Sequence, residues 1–538
     1  MLAALTVALA TIVARLPFLL RGDRFFSSDE AVEGLMARHV LLGEFPLFLW
    51  GQSYKGVPEV YLASAVFGLA PATASSVVAL KAVTLVCFAA FVGLNFILLD
   101  RVYSRTVAWV ASLLLIACPP ALVLWSLTGS AEIAITFLTG AVLLLNVDAW
   151  RRTGSRRALV VASASLGFGL WVQQFIVYYV IALALTLLVD TPDWRERFGA
   201  VLRARPLWVQ RLAQVLFAGA AVYAAIGLTA FVTNGAELAP FGLRVTATSP
   251  QKAWWTAIAL LLVGCAAAVG RVRRADAMPA LAFLAGFSPA ILGRLTGDGA
   301  GAPMGRMDLD GLRSILSVVV DYAVPVVFGF RSPTMGRLDV SAWWAAVLAI
   351  VLVVSCGAIR RGRRPLFFHV FLVVVPVAFV ASGSFIDAQS YRYLVPVFAA
   401  LPVVWAVGVE AILRVSRIAG TAVLAGLVAL FAIQQVEWYQ ELAPDRESAA
   451  IVDCLDRAGI RIAFADYWVS YKVTFLTGER IVLAPTNGVD RYPPYTDTAR
   501  AHPAAHLVEA PPPESAEQVS CSAVVREVPA DEVPRPPR

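Results

Sequence analysis

Charge is scarce in this chain. Of its 538 residues only 15% are Asp, Glu, Lys or Arg, while 59% are hydrophobic. Water-soluble domains hold roughly 45–50% apolar residues, so the composition excludes an ordinary soluble globule and implies an integral membrane protein. Lysine is nearly absent: Lys55, Lys81, Lys252 and Lys472 are four of 44 basic residues. No basic block is interleaved with aromatics, so the net charge of +7 does not describe a nucleic-acid surface and no nucleic-acid partner is expected. The six cysteines contain no CxxC and no Cys/His spacing, which excludes a zinc module. Cys87, Cys118, Cys265 and Cys356 lie in apolar runs, where Cys behaves as a small hydrophobe. The first apolar run lacks a basic n-region, and "RLPFLLRGDRFF" offers no small-residue cleavage site, so it reads as a retained transmembrane helix.

What the chain has is apolar runs of about 20 residues, the length of membrane-spanning helices rather than barrel strands. They predict about thirteen helices, at 1–20, 73–99, 107–125, 131–148, 158–172, 174–189, 212–233, 253–270, 278–293, 342–359, 366–382, 394–412 and 419–436. The pairs around 107–148 and 158–189 fit either two full spans or a re-entrant hairpin. Arginine falls in alternate loops: Arg101 and Arg105; Arg151, Arg152, Arg156 and Arg157; Arg195 to Arg211; Arg271, Arg273 and Arg274; Arg360 to Arg364; Arg414 and Arg417. By the positive-inside rule these loops and the N-terminus are cytoplasmic. The loops 21–58, 234–252, 294–341 and 383–393, and the tail from 437, are then extracytoplasmic. The run 57–71 is too short to span and is expected to lie against the outer membrane face or dip partway in. The tail reads as one helix followed by strand-like segments, a small α/β unit with a loosely ordered, Pro-rich end. The division expected is therefore 1–436 in the membrane and 437–538 outside it.

The loop 21–58 contains "SSDEAVEGLMARHVLLGEFPLFLWGQSYKG". Ser27 and Glu30 have capping-box spacing. Val32, Leu35, Met36, His39 and Val40 form one stripe, with Glu33, Ala37 and Arg38 turned away, which predicts an amphipathic helix over 28–42 lying on the outer membrane surface. The box accounts for Glu30 but needs no acid at Asp29.

This order resembles the first outer loop of GT-C glycosyltransferases of the protein mannosyltransferase and aminoarabinose transferase type. The matches are Asp29-Glu30 after the first helix, Ala37-Arg38, the turn Gly43 to Pro46, and Tyr54-Lys55. Where many members have Lys-Pro-Pro-Leu, this chain has "KGVPEVY", a departure that touches Lys55 and Glu59. The resemblance implies an all-α polytopic fold with a small C-terminal α/β extracytoplasmic domain in a bacterial cytoplasmic (inner) membrane. It also implies transfer of a sugar from a polyprenyl-phosphate donor to the hydroxyl of a glycan, lipid or protein acceptor.

On that resemblance Asp29 and Glu30 are the catalytic candidates, since a carboxylate can take the acceptor's proton and desolvation by lipid would raise its pKa toward usefulness. The leaving lipid phosphate calls for cations at headgroup depth. Arg392 in "SYRYLVP", Lys55 and, less directly, Lys81 are the candidates; headgroup snorkelling is the alternative use of Arg392 and Lys55. Glu132, Gln173, Gln174 and Tyr391 form the substrate-binding set, with helix capping the alternative for Glu132. Tyr467, Trp468 and Tyr471 have the character of sugar-stacking residues, although core packing is their expected use. Asp308 and Asp310 match Asp-x-Asp, but the first outer loop holds no such pair, so neither metal nor cofactor is expected. Cys454 and Cys521, the tail's only cysteines, are expected to form a disulfide in an oxidising compartment. Two other classes fit a polytopic chain: a flippase for lipid-linked glycans, which would show acids at pseudo-repeated mid-helix positions, and a glycan-binding scaffold without catalysis.

Overall fold

In a computed structural model, described for residues 1–190, 193–232, 277–296, 309–334, 343–362, 365–382, 388–502, 505–509, 521 and 525–528 and short pieces within 236–264, the chain is a helical bundle carrying a small α/β unit. The first helix, α1 (Leu2–Leu20), is followed by α2 (Ser28–Leu41), a two-stranded ribbon β1 (Phe48–Leu49) and β2 (Gln52–Gly56), α3 (Pro58–Leu69), and the long α4 (Val77–Val102). Serine starts many of these helices for a physical reason: its hydroxyl accepts the otherwise orphaned N–H three residues on. Ser27, Ser76, Ser104, Ser155 and Ser416 all do so.

Among the described residues seven helices are long and apolar enough to cross a membrane, and the pair Ser390–Ala399 and Leu401–Val415, bent by 43°, makes a broken eighth. The chain is a multi-pass membrane protein, and most of the expected 253–270 span lies outside the described residues. The 107–125 span is not one helix. It breaks into Arg105–Ile116 and Pro120–Trp125 at Pro119 and Pro120, whose rings cannot continue the ladder. The carbonyls freed there are answered from α1: fully buried Arg15 donates to Leu115 O at 2.7 Å and Ile116 O at 2.8 Å. The run 57–71 holds α3, whose 12 residues reach about 18 Å at 1.5 Å each, short of a bilayer core.

The tail is built on a sheet ordered Val482–Pro485, Ile462–Ala465, Ala505–Val508, Val525–Val528; the first three strands are parallel and the last antiparallel. The segment "YWVSYKVTFL", read as strand-like from its aromatic and β-branched residues, is instead a helix (Tyr467–Leu476) started by Asp466, whose carboxylate accepts from Trp468 N. A disulfide joins Cys454, on the helix Arg446–Ala458, to Cys521.

That tail helix corrects the reading of α2. Far from floating on lipid, α2 is covered on nearly every side by Tyr467–Leu476 and α3. Glu33 and Ala37, expected to face away, are as buried as Leu35 and Met36. Gly34 makes the approach possible: a Cβ there would meet the Phe475 ring at 2.4 Å.

Candidate active site

The first turn of α2 separates the two acids. Glu30 is buried and fully used: its Oε2 accepts from Ser27 N at 3.3 Å, closing the capping box, and its Oε1 accepts from Lys81 Nζ at 2.5 Å. Lys81, on α4, is itself buried, with its ammonium 4.3 Å from the Phe25 ring centroid. A salt bridge so enclosed has no oxygen left for catalysis and no free charge for a lipid phosphate. Both Glu30 as a catalytic acid and Lys81 as a phosphate ligand are set aside on this geometry.

Asp29 points the other way, toward the tail. Its Oδ1 accepts from Tyr467 Oη at 2.5 Å and from Arg491 Nη2 at 3.2 Å. Burial pushes its carboxyl upward, but the Arg491 charge, the Tyr467 hydrogen bond, and the nearby charges of Lys55 and Arg392 together hold it below the ordinary 3.8. The expected upward shift by lipid desolvation is thus overruled by cations.

Lys55, on β2, donates to Ser130 O at 2.9 Å, and burial together with Arg392 pushes its pKa down to about 8 against the pull of Asp29, Glu132 and Glu33. Arg392 is half-buried with its guanidinium 5.2 Å from the Tyr393 ring centroid, and its field reaches Asp29, Lys55 and Tyr54. Asp29, Lys55 and Arg392, from separate stretches of sequence, are therefore near enough to feel one another's charge.

Three more carboxylates, Glu33, Glu59 and Glu132, lie near one another. Gly129 lies where a Cβ would be 2.5 Å from Glu33 Oε2 and 3.1 Å from Glu59 Oε2. Thr84 donates to Glu59 Oε2 at 2.5 Å. Glu132, just ahead of the helix Ile133–Thr153, is buried and holds φ at 54°, a left-handed conformation that non-glycine residues rarely adopt and that often marks a functional site. Burial and repulsion from neighbouring carboxylates raise Glu33, Glu59 and Glu132, Glu59 to about 7. Among the described residues no group of three or more His, Cys, Asp or Glu is arranged to hold a metal ion; Asp308 and the side chain of Asp310 fall outside them.

Gln173 folds back so that its Oε1 accepts from Gln174 N at 2.9 Å, and Gln174 is exposed. Tyr391 is buried with Trp125 Nε1 donating to its hydroxyl at 3.3 Å, which makes it a packing residue. Trp468 is exposed and Tyr471 is buried, its hydroxyl accepting from Arg491 N at 2.7 Å. A cleft of about 380 Å³ lined by Arg24, Asp445, Arg446, Glu447 and Lys472 includes none of the site residues.

No protein-family model matches the sequence, and no curated protein aligns with it. Among solved structures the chain is similar to ArnT from Cupriavidus metallidurans bound to undecaprenyl phosphate, with 12% identity over 96% of this chain and 95% of that one and a TM-score of 0.53. Against the apo state of the same protein the figures are 13%, 97%, 96% and 0.52. It is also similar to the Archaeoglobus fulgidus oligosaccharyltransferase in complex with zinc and sulfate, at 12% identity and TM-score 0.43, covering 89% of this chain. The chain spans 62% of that protein's length. The fold is the GT-C fold of the ArnT, or aminoarabinose transferase, kind.

Proposed function

We propose that the chain is a membrane glycosyltransferase that moves a sugar from a polyprenyl-phosphate donor to an acceptor hydroxyl at the outer face of a bacterial inner membrane. The observation that carries this reading is one carboxylate, Asp29, hydrogen-bonded through a single oxygen and close enough to Lys55 and Arg392 to feel both charges. The fold shared with ArnT, whose structure holds undecaprenyl phosphate, supports the donor class.

In this reading the acceptor oxygen attacks the anomeric carbon as the bond from that carbon to the phosphate oxygen breaks. The departing polyprenyl phosphate gains charge, which Lys55 and Arg392 stabilise from fixed positions. The acceptor proton passes to Asp29. A carboxylate held below 3.8 is a weak base toward a free alcohol. It suffices once the forming C–O bond has made the acceptor oxygen cationic and strongly acidic, so proton transfer comes late. Asp29, held ionised, supplies the largest attraction that keeps Lys55 charged against the downward push of burial.

The test is mass spectrometry of envelope glycans and lipid-linked sugars from cells lacking the protein. Accumulation of one polyprenyl-phosphate sugar, with loss of the same sugar from an envelope glycan, is expected. A flippase would instead leave a lipid-linked glycan trapped on the cytoplasmic leaflet, and a scaffold would change neither pool.

A further inference from the structure

The tail reaches into the site with two side chains that the transfer reading does not require. Tyr467 opens the helix Tyr467–Leu476, and its backbone N–H is pinned by Asn487 Oδ1 at 2.8 Å. Arg491 lies between the strand Val482–Pro485 and the helix Pro493–Ala501. Its Nε donates to Tyr467 Oη at 3.0 Å, its Nη1 to Trp50 O at 3.4 Å, and its Nη2 to Asp29 Oδ1 at 3.2 Å. The Tyr467 hydroxyl therefore accepts from Arg491 and donates to Asp29, which closes a triangle of three side chains. The Arg491 side chain is 7% exposed and that of Asp29 20%.

The triangle has an asymmetry that an ordinary interface salt bridge lacks. A guanidinium that merely joins two surfaces tends to grip both carboxylate oxygens with its fork. Here Arg491 spends its other nitrogens on Tyr467 and Trp50, and both donors to Asp29 converge on Oδ1. No hydrogen bond among the described residues goes to Oδ2. One oxygen is clamped and the other is left without a hydrogen bond among the described residues, on a carboxyl that feels the charges of Lys55 and Arg392. That is the relation of an orienting group to a base.

We propose that Arg491 and Tyr467 are positioning residues that aim Asp29 Oδ2 at the acceptor hydroxyl, so that turnover requires the docked C-terminal domain. This rests on the transfer reading above. The tail is then part of the catalytic unit: the membrane domain supplies the carboxylate and the phosphate-binding cations, and the tail fixes the carboxylate's direction.

The experiment uses the full-length protein in detergent with a polyprenyl-phosphate sugar, comparing Arg491→Gln, Arg491→Lys and Tyr467→Phe, each with and without Asp29→Asn. Arg491→Gln should lower kcat about 10- to 100-fold, the scale of a slightly misaimed catalytic group, with donor KM changed less than about twofold. The acid limb of its pH–rate profile should move to higher pH, because the cation that held Asp29 ionised is gone. Tyr467→Phe should move it the same way by less, and Arg491→Lys should recover part of the rate. In the Asp29→Asn background Arg491→Gln should cost nothing further. An equal loss in both backgrounds with an unmoved acid limb would overturn the proposal and leave Arg491 as an interface anchor. Melting temperature against pH reads the same coupling without turnover. Asp29, lowered in the folded state, adds stability that is present above 3.8 and lost as pH falls below it, and Arg491→Gln should abolish that component. Wild type inactive on every such donor, with this coupling intact, overturns the transfer reading; absence of the coupling overturns the clamp.

Discussion

At the scale of single residues, adjacent acids have been given opposite fates. Asp29→Asn keeps shape and polarity but removes the proposed base, so the protein should fold and bind donor while turnover falls about 10²–10⁴-fold. Wild-type turnover in that variant would end the assignment. Glu30→Gln should behave differently, because it strands the Lys81 ammonium among Phe25, Phe26 and Leu127. Breaking one side of a buried pair costs roughly 3–5 kcal/mol, whereas replacing both sides with apolar groups can be near neutral. The melting temperature should therefore drop in Glu30→Gln and in Lys81→Met, and recover in a Glu30→Leu/Lys81→Met double variant. Three equal drops would mean the pair is not the cause. Asp29 and Lys55 could be proposed from the sequence through the resemblance of the first outer loop, and Arg392 as an arginine at the outer end of a helix. Arg491 and Tyr467 could not be, since Arg and Tyr in a polar tail are unremarkable until the chain folds back across more than four hundred residues.

The element that organises the site is α2, and helical periodicity described only half of its surroundings. The stripe Val32, Leu35, Met36 and His39 was readable, but a period says which residues share a face and not whether the opposite face is also covered. Here that face is covered too: the tail helix closes on Gly34, Gly129 and Glu59 lie against Glu33, and Glu33 and Ala37 are buried. The last turn of α2 fastens that cover. Arg38 Nε lies 2.9 Å from Glu479 Oε2, and His39 sits 2.9 Å from both Glu44 and Glu479, with Tyr495 Oη donating to Glu479 Oε1 at 2.7 Å and the Trp50 and Tyr492 rings edge-on. Glu479 also holds φ at 62°. Burial works against the charge of both His39 and Glu479. Their hydrogen bonds and mutual attraction prevail, raising His39 above 6.5 and lowering Glu479 from 4.5 to about 2. Glu479 thus stabilises docking above 4.5 and loses that contribution as pH falls toward 2; His39 stabilises it fully below 6.5 and loses that contribution as pH rises through its raised pKa. Protection of the α2 amides, corrected for the intrinsic pH dependence of exchange, should be greatest between 4.5 and 6.5 and fall as pH rises through the raised pKa of His39, and His39→Gln should flatten the response. Exchange protection that does not vary over that range in wild type would show that His39 carries no docking energy.

For the whole molecule, contact and charge speak to the same question by separate routes. Because Arg491 touches Asp29 and Glu479 touches α2, the tail and the first loop must lie on one side of the membrane, whatever the number of spans between them. Contact alone does not say which side. We propose the side from the arginine clusters: by the positive-inside rule Arg151 to Arg157 and Arg360 to Arg364 are expected in the cytoplasm, and hence the tail outside. The Cys454–Cys521 disulfide fits that side, where disulfides persist. Helix count contributes little to the decision, because broken helices such as Arg105–Ile116 with Pro120–Trp125 make parity ambiguous in a way that arginine placement does not. Topology reporters fused after Ser155 and after Gly362 should therefore report cytoplasm, and one fused after Gln440 the outside. Cys454 and Cys521 should resist thiol labelling until reductant is added. A cytoplasmic signal after Gln440 would carry Asp29, Lys55 and Arg392 to the inner face with the tail. The polyprenyl donor would then have to be used on the leaflet where it is made, and transfer at the outer face would be ruled out even though the site geometry stood.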